Sequence, residues 1–412
     1  MSNKKMIISA VFLSLGFHWV LAQSIDQLVE KAYENNLELR ILNTEYLAAL
    51  EKAKQVNQLP DPEFSAGVFP LPVETRLGGQ FLRLSGAQMF PWSGTLDKME
   101  QLEVSKARVL YERLDLKKLE LRYEIKNAIF KLYELEKTQG ILNKNIKILK
   151  SLEQIVLVKT ETGKGSAADV LRVQLKLEEL QQQIRILENK KAIPGIEVNQ
   201  LLNQNTDTPI LLKDSLDFAQ LLFNKDSLIS NIRSNHPMIK MYGLKQEVSR
   251  NAILLNKAAQ KPVFGAGLDY IFVDKRTDAT PDHNGRDILQ IKATVKIPIY
   301  KKKFQAKERE EQLKIQALDD QKTNLLSQYH ANIEKAYTNF ETARLQNELY
   351  KKQIVITTAT IDILQTTYSV KGERFDEIIQ LVNELNNYDL KLLKAIIDSH
   401  LMKNNIERLI TL

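Results

Sequence analysis

The placement of proline is the feature that most constrains this chain. All 11 prolines lie between Pro60 and Pro298, and none interrupts residues 92–193 or 299–412, which are runs of 102 and 114 residues. Proline inside a helix removes a hydrogen bond and clashes with the preceding turn, so runs without it permit long helices. Length alone would suggest two or three compact domains. Helices of this length do not fit such globules, and we predict an elongated, mainly helical chain.

Composition limits the chemistry that the chain can carry. It has 26% charged and 43% hydrophobic residues and no cysteine, which favours a folded protein. Without cysteine there are no disulfide scaffolds, thiol nucleophiles, cysteine-ligated metals or lipids attached through cysteine. Lysine-rich runs are interspersed with acids and lack clustered aromatic residues, so we expect no nucleic-acid partner.

The first 22 residues have the pattern of a secretory signal peptide. Lys4 and Lys5 supply the positive start, residues 6–20 the apolar stretch, and Val20-Leu21-Ala22 the small-residue cleavage pattern. The alternative is a membrane-spanning helix, but the apolar stretch is shorter than the ~20 residues that a span needs. We expect a signal peptide over residues 1–22 and an exported mature chain.

The sequence repeats itself at a fixed spacing, which indicates repeated structural units. Seven residues of the first half recur 200 positions later: Asp26, Leu28, Asn35, Pro62, Phe64, Ala66 and Gly67 match Asp226, Leu228, Asn235, Pro262, Phe264, Ala266 and Gly267. After a seven-residue insertion the spacing becomes 207. We predict two structural repeats, residues 23–225 and 226–412, each with a helix, a β-hairpin and a long helical hairpin.

Two β-hairpins are predicted, over residues 63–90 and 263–300, with strands 63–69 and 80–90 in the first. From Ile288 to Ile299, apolar residues alternate with polar ones, as a strand with one lipid-facing surface requires. The alternative is an antiparallel sheet half-buried on a soluble core. Four strands are fewer than the roughly eight that close a filled barrel. If the strands enter a membrane, several copies must share one barrel, two giving eight strands and three giving twelve.

Long helices are predicted over 94–161 and from 301 onward. A helix of about 67 residues is roughly 100 Å long at 1.5 Å per residue. Apolar residues at seven-residue spacing indicate a coiled-coil seam in the first helix: Ala107, Leu114, Leu121, Ala128, Leu135, Leu142, Leu149 and Val156. In the second helix the clearest run is Leu349, Ile356, Ile363 and Val370. Glycine-containing breaks at 162–165 and 370–373 predict reversals, giving helical hairpins over 94–190 and 301–412.

Taken together, these features resemble the TolC-type outer-membrane efflux channels, also called outer membrane factors. The resemblance rests on the signal peptide, the duplicated layout, the pair "LPDPEFSAGVF" and "AQKPVFGAGLDY", and the turn sequences "TGKGSAADVLRVQLKLEEL" and "VKGERFDEIIQLVNEL". It implies a homotrimer in which four strands per protomer build a twelve-strand barrel in the outer membrane. Duplicated helical hairpins would form an α-barrel in the periplasm, with an equatorial segment at 194–225.

The resemblance also implies partners and a passive role. Members of this family carry substrates delivered by an inner-membrane pump, of RND or ABC type, through a periplasmic adaptor (membrane fusion) protein, and they contact outer-membrane lipid. They are not enzymes and need no cofactor, so no catalytic residue is expected. The alternatives from other classes are a structural periplasmic coiled-coil protein and a periplasmic adaptor without a pore; the duplicated architecture argues against the adaptor.

The resemblance assigns candidate site residues at the two turns. Periplasmic aperture candidates are Asp169, Arg374, Asp376 and Glu377. Adaptor-contact candidates at the helical tips are Lys164, Gly165, Lys371 and Gly372. From the sequence itself, Trp92, Tyr270 and Tyr300 are candidate aromatic anchors at the membrane interfaces; the alternative at residues 300–303 is a solvated helix start. Relatives often place the aperture acid six residues after the turn glycine, whereas Ile378 holds that place here and Asp376 comes four after Gly372.

One possible metal site is set aside. His236, Met238 and Met241 offer soft ligands for copper or silver. A proline and apolar residues that begin a helix explain the same segment, and the corresponding first-half sequence, Asn36-Leu37-Glu38, has no such ligands. We therefore expect no metal site.

Overall fold

The computed structural model describes residues 23–213, 215–222, 224–371 and 373–410. The predicted signal peptide at 1–22 and the turn residue Gly372 lie outside them. Helices α1 to α4 span Ile25–Asn35, Leu37–Val56, Thr95–Glu161 and Ala167–Leu201; α5 to α8 span Lys225–Asn235, Pro237–Ala258, Lys301–Lys371 and Phe375–Glu407. Strands β1 to β4 span Glu63–Thr75, Gly78–Phe90, Val263–Val273 and Ile288–Lys296. Among the described residues, no helix is both long and apolar enough to cross a membrane.

Element order repeats along the chain, as the sequence predicts. Two helices, a β-hairpin, a very long helix and a return helix occur twice. The short helices α1 and α5 were not predicted as separate elements. Prolines lie at every junction between helix and strand: Pro60, Pro62, Pro91, Pro262 and Pro298. Proline lacks the N–H group that donates in a helix or between paired strands. These positions therefore interrupt the hydrogen bonding of both the helix and the sheet.

Contacts group the chain into two compact units, and each unit draws on both halves of the sequence. Among the described residues, the first contains 23–35, 124–219 and 340–401, and the second contains 36–123, 220–339 and 402–410. The compact units therefore do not follow the sequence repeats, and the division into repeats 23–225 and 226–412 stays a prediction.

The core of the first unit is a seam of four helix segments. It contains Leu142, Leu149, Val156, Val173, Leu177, Ile361, Tyr368, Phe375, Ile378 and Val382, together with their neighbours. Six of the eight residues predicted for the α3 seam are buried, and the other two, Leu114 and Leu135, are half-buried. The seam therefore follows the seven-residue spacing that coiled coils use.

The predicted seam of α7 does not pack within the protomer. Leu349, Ile356, Ile363 and Val370 are 49%, 66%, 67% and 72% exposed in this chain. The buried face of α7 carries Ile361, Leu364 and Tyr368 instead. Both faces have seven-residue apolar spacing, so sequence periodicity alone does not tell which one packs within the protomer.

The return helix α4 is longer than predicted. It passes through Pro194 and ends at Leu201, whereas the sequence predicted an end at residue 190. Proline removes one helical hydrogen bond, but Pro194 is buried and Val198 is fully buried one turn later. Burial on the same helix face offsets the lost hydrogen bond, and the helix continues.

The second unit contains one antiparallel sheet in the order β1-β2-β3-β4. β1 extends to Thr75, six residues beyond the predicted end, because its register shifts between Val68 and Val73. Pro70 and Pro72 lie in this bulge, on an edge strand where missing N–H donors are tolerated. The other main contacts of this unit join α5, α7 and the chain end, through Leu228, Ile232, Ile333, Ile406 and Ile410.

Candidate functional site

One face of the sheet is apolar and exposed. The register places Leu84 opposite Tyr270, which lies opposite Leu289, and the alternation of strand side chains assigns the remaining residues. Phe64 and Ile291 are 81% and 82% exposed, and the same face carries Val68, Leu84, Phe90, Phe264, Leu268, Leu289 and Val295, all exposed. Contiguous apolar surface of this kind is rare on proteins that face only water.

The opposite face of the sheet is polar and holds a three-residue charge cluster. Asp269 of β3 is fully buried, and the Nζ atom of Lys292 on β4 lies 2.6 Å from its Oδ1. Arg83 of β2 donates a hydrogen bond from Nη2 to the other carboxylate oxygen. The cluster thus ties three strands together through one carboxylate, which accepts a charge-assisted hydrogen bond from Arg83 and forms an ion pair with Lys292.

Both edges of the sheet are open. β1 and β4 each pair with one strand only, and no other strand of the described residues lies against them. An edge strand presents unpaired N–H and C=O groups, which is costly outside water unless another strand covers them. A sheet that has an apolar face and two open edges needs further strands if that face enters a membrane.

The three predicted aromatic anchors lie near the ends of the strands, and all are exposed. Trp92, between β2 and α3, is 41% exposed, and its ring centroid lies 6.0 Å from that of Phe264, with the two rings tilted. Tyr300, between β4 and α7, is 77% exposed. Tyr270 lies toward the opposite end of β3, where its hydroxyl donates to Asp287 Oδ2 at 2.7 Å. Aromatic residues near both ends of the strands match the two girdles that flank an apolar band in membrane barrels.

The turn between α3 and α4 depends on two glycines. Gly163 has φ of 69°, a left-handed conformation that glycine adopts without strain. A Cβ on Gly165 would lie 3.0 Å from the backbone N of Thr160, so this glycine permits a close approach of the chain. The N–H of Lys164 donates to the carbonyl of Lys159 at 2.8 Å, and the Ser166 hydroxyl caps α4. The Lys164 side chain is exposed.

The turn between α7 and α8 uses charged residues instead. Arg374 has φ of 70°, which is uncommon for a residue with a side chain. Its guanidinium Nε donates to Glu377 Oε1 at 2.8 Å, and this contact holds the pKa of Glu377 below its usual value. Lys371 is exposed at the end of α7. The Lys159 ammonium donates to the carbonyl of Val370 at 3.3 Å, which joins the two turns.

Arg172 brings two of the aperture candidates together. Its Nη1 donates to Asp376 Oδ1 on α8 and lies 3.9 Å from Asp169 Oδ1, one turn earlier on α4. Burial raises the pKa of Asp169, and the nearby Asp376 charge adds to this, while Arg172 opposes it. The Arg172 guanidinium therefore forms ion pairs with both carboxylates. Arg172 was not predicted as a site residue; its spacing of three from Asp169 on a helix was the available signal.

The structure gives His236 a structural role. The Met238 N–H donates to its Nδ1 at 3.1 Å, so the imidazole caps the start of α6. Its ring lies 4.7 Å from the ring of Tyr329, and burial lowers its pKa to about 4, with a smaller contribution from Arg408. Among the described residues, no group of three or more histidine, aspartate or glutamate side chains could hold a metal ion.

Comparisons with known proteins identify the fold. No protein-family model and no curated protein sequence matches the chain. Among solved structures, the outer-membrane channel OprN matches with a TM-score of 0.75 and 15% identity over 93% of this chain and 89% of its own. CusC, described for transmembrane channel formation, matches with a TM-score of 0.75 and 15% identity over 95% of this chain and 92% of its own. The open state of the MtrE outer-membrane channel of Neisseria gonorrhoeae matches with a TM-score of 0.73 and 12% identity over 93% of this chain and 88% of its own.

The likeness extends over nearly the whole chain in each case, including helices and strands. It agrees with the fold class predicted from the sequence, long paired helices with a small four-stranded sheet. The chain therefore has the fold of the outer-membrane channels.

Proposed function

We propose that this protein is an outer-membrane channel, the exit duct of a tripartite efflux system, and that it has no enzymatic activity. The observation that carries the proposal is the sheet whose apolar face is exposed and whose two edges are open, within a fold shared with OprN, CusC and MtrE. The strands enter the outer membrane, and the helices lie in the periplasm. Trp92, Tyr270 and Tyr300 anchor the strands at the lipid interfaces.

The working form is a homotrimer. Four strands cannot close a barrel, and three copies supply twelve. The exposed stripe on α7, formed by Leu349, Ile356, Ile363 and Val370, gives a second reason, because exposed apolar residues at seven-residue spacing suit a neighbouring helix. Each protomer in this proposal contains two repeats, residues 23–225 and 226–412, and covers its own apolar surfaces only by joining other copies.

The helical turns form the periplasmic entrance. Lys164, Gly165, Lys371 and Gly372 meet a periplasmic adaptor, which links the channel to an inner-membrane pump of RND or ABC type. Asp169, Arg374, Asp376 and Glu377 line the aperture. Arg172 restrains the aperture by joining α4 to α8 through Asp376. MtrE has been solved in an open state, which supports an aperture that changes its width in this fold.

The first test is location and conductance. Expression of the full chain in a Gram-negative host should give an outer-membrane protein that migrates as a trimer before heating and as a monomer after it. The purified trimer should produce discrete current steps in planar lipid bilayers. A water-soluble monomer without channel activity would contradict the proposal and favour a structural coiled-coil protein.

A single variant tests the aperture. Arg172→Gln leaves Asp169 and Asp376 without their shared cation, and the two carboxylates then repel each other. Exposed ion pairs contribute up to about 1 kcal/mol, so the open probability should rise by up to about fivefold in single-channel records. The control is Arg185→Gln, which removes the same charge from the exposed surface of α4. Equal open probabilities for the two variants would show that Arg172 does not restrain the aperture.

A further inference from the structure

We infer that the polar face of the sheet makes the strand-walled part of the channel favour anionic solutes. This inference rests on the proposed function, since it concerns the interior of the same barrel. It begins from the Arg83–Asp269–Lys292 cluster, which joins three strands on one face of the sheet.

Register decides which face lines the channel. The face that contains Phe64, Leu84, Leu268 and Ile291 is apolar and exposed, so it faces lipid when the strands enter a membrane. Side chains alternate along a strand, and lipid-facing residues alternate with lumen-facing ones in membrane barrels. Arg83, Asp269 and Lys292 are on the other face, which therefore lines the enclosed interior.

The charges on this inner face do not cancel. In the regularly paired part of the four described strands, they are Glu63, Arg83, Asp269, Lys292 and Lys296. Glu63 and Lys296 lie at the helix end of β1 and β4 and offset each other. Two cations and one carboxylate remain in the middle of the sheet, an excess of one positive charge in every copy.

Neighbouring glycines leave the two cations accessible to passing ions. Gly267 lies opposite Lys292 in the register, and Gly67 lies opposite Arg83 on the β1 side, so no side chain covers either cation from these strands. On its other side, Arg83 lies opposite Ile271 of β3. The Asp269 side chain is fully buried, whereas those of Arg83 and Lys292 remain 38% and 35% exposed. The surface that the cluster offers to the interior is therefore that of the cations, and basic rings of this kind select anions in pores.

The experiment measures ion selectivity of the trimer in planar bilayers across a KCl gradient, where the reversal potential gives the permeability ratio of chloride to potassium. Lys292→Gln removes one cation per copy and leaves Asp269 paired with Arg83. A unit charge about 10 Å from an ion in water changes the ion's occupancy about twofold, less when salt screens it, so the ratio should fall about twofold. Asp269→Asn should raise the ratio, because it removes the carboxylate from the cluster.

Two comparisons sharpen the result. Lys292→Arg retains the charge and should restore the ratio lost in Lys292→Gln. Lys54→Gln, which removes a lysine from the exposed surface of α2, is the control for a change in total charge. A ratio that is unchanged or higher in Lys292→Gln would overturn the inference while the current steps still support a channel. The absence of any current steps would overturn the proposed function, and the inference with it.

Discussion

The two halves of the molecule share an order of elements and differ in the side chains that hold corresponding places. Asn36 caps α2 and His236, 200 positions later, caps α6. The first helical turn uses Gly163 in the left-handed conformation, and the second uses Arg374. Only the second hairpin carries the buried acid Asp269; the position 200 residues earlier is Phe69. Both helix starts need a side chain that accepts from backbone N–H groups, and both turns need a residue in the left-handed conformation. The two halves meet these shared backbone requirements with different side chains.

The largest effect is expected where the two hairpins meet. Arg83→Gln combined with Lys292→Gln leaves Asp269 buried without a cation. Removing the partners of a buried charge costs about 3–5 kcal/mol. The double variant should therefore lower the free energy of unfolding by about this amount, measured from urea unfolding in detergent micelles.

A third substitution isolates the cause. Adding Asp269→Asn to the double variant removes the unpaired charge, and most of the lost stability should return. If the triple variant is as unstable as the double one, the loss comes from the packing of the long side chains and not from the buried carboxylate.

The cap position provides the next comparison. The pKa of His236 falls from its usual 6.5 to about 4 in the fold, because burial and the Arg408 charge disfavour the imidazolium. The unfolded chain therefore binds more protons between these pH values. The stabilisation is fully present above pH 6.5 and is lost as the pH falls toward 4, by about 2–3 kcal/mol at pH 4.5. Urea unfolding at a series of pH values measures this loss.

The first half supplies the control for the histidine. His236→Asn copies the cap of α2, in which the Asn36 side chain accepts from the N–H groups of Glu38 and Leu39. It should keep the helix start and remove this part of the pH dependence. The other charged or titratable groups that line the same cavity are Glu120, Tyr329, Lys335 and Arg408. An unchanged pH slope in His236→Asn would assign the effect to one of them.

Local patterns in the sequence predicted most of the fold. Proline-free runs predicted α3 and α7 because proline acts on its own helix, and alternation predicted β3 and β4 because strand side chains have a period of two. Contacts between distant residues were not predictable in this way. Arg172 meets Asp376 across 204 positions, and the choice between two apolar stripes on α7 depends on which helices pack against it.

In the candidate site, too, local features were predictable and contacts between distant residues were not. Gly163, Gly165 and Ser166 have local roles in the first turn, and the sequence placed that turn correctly. The β1 bulge was missed, because the predicted strand ended at residue 69, just before Pro70 and Pro72, although an edge strand tolerates proline. The charge cluster also escaped prediction, since it depends on the pairing of β2 with β3 across the two halves.

The smallest effects are expected at the two turns, and they should have opposite signs. Gly163→Ala places a side chain at φ of 69°, which costs about 1 kcal/mol. Arg374→Gly relieves the corresponding strain at φ of 70° but removes the ion pair with Glu377, which is exposed and is therefore the smaller of the two effects. Hydrogen–deuterium exchange of peptides covering each turn should show faster exchange in the first variant and slower exchange in the second.

A further variant separates strain from the ion pair at the second turn. Glu377→Gln removes the charge from the partner of Arg374 and leaves the left-handed residue in place, so it should only speed exchange there. Faster exchange in Arg374→Gly as well would mean that the ion pair outweighs the backbone strain. The second turn would then be held by the contact that the first turn lacks, and the two halves would differ in what stabilises their turns as well as in which residue forms them.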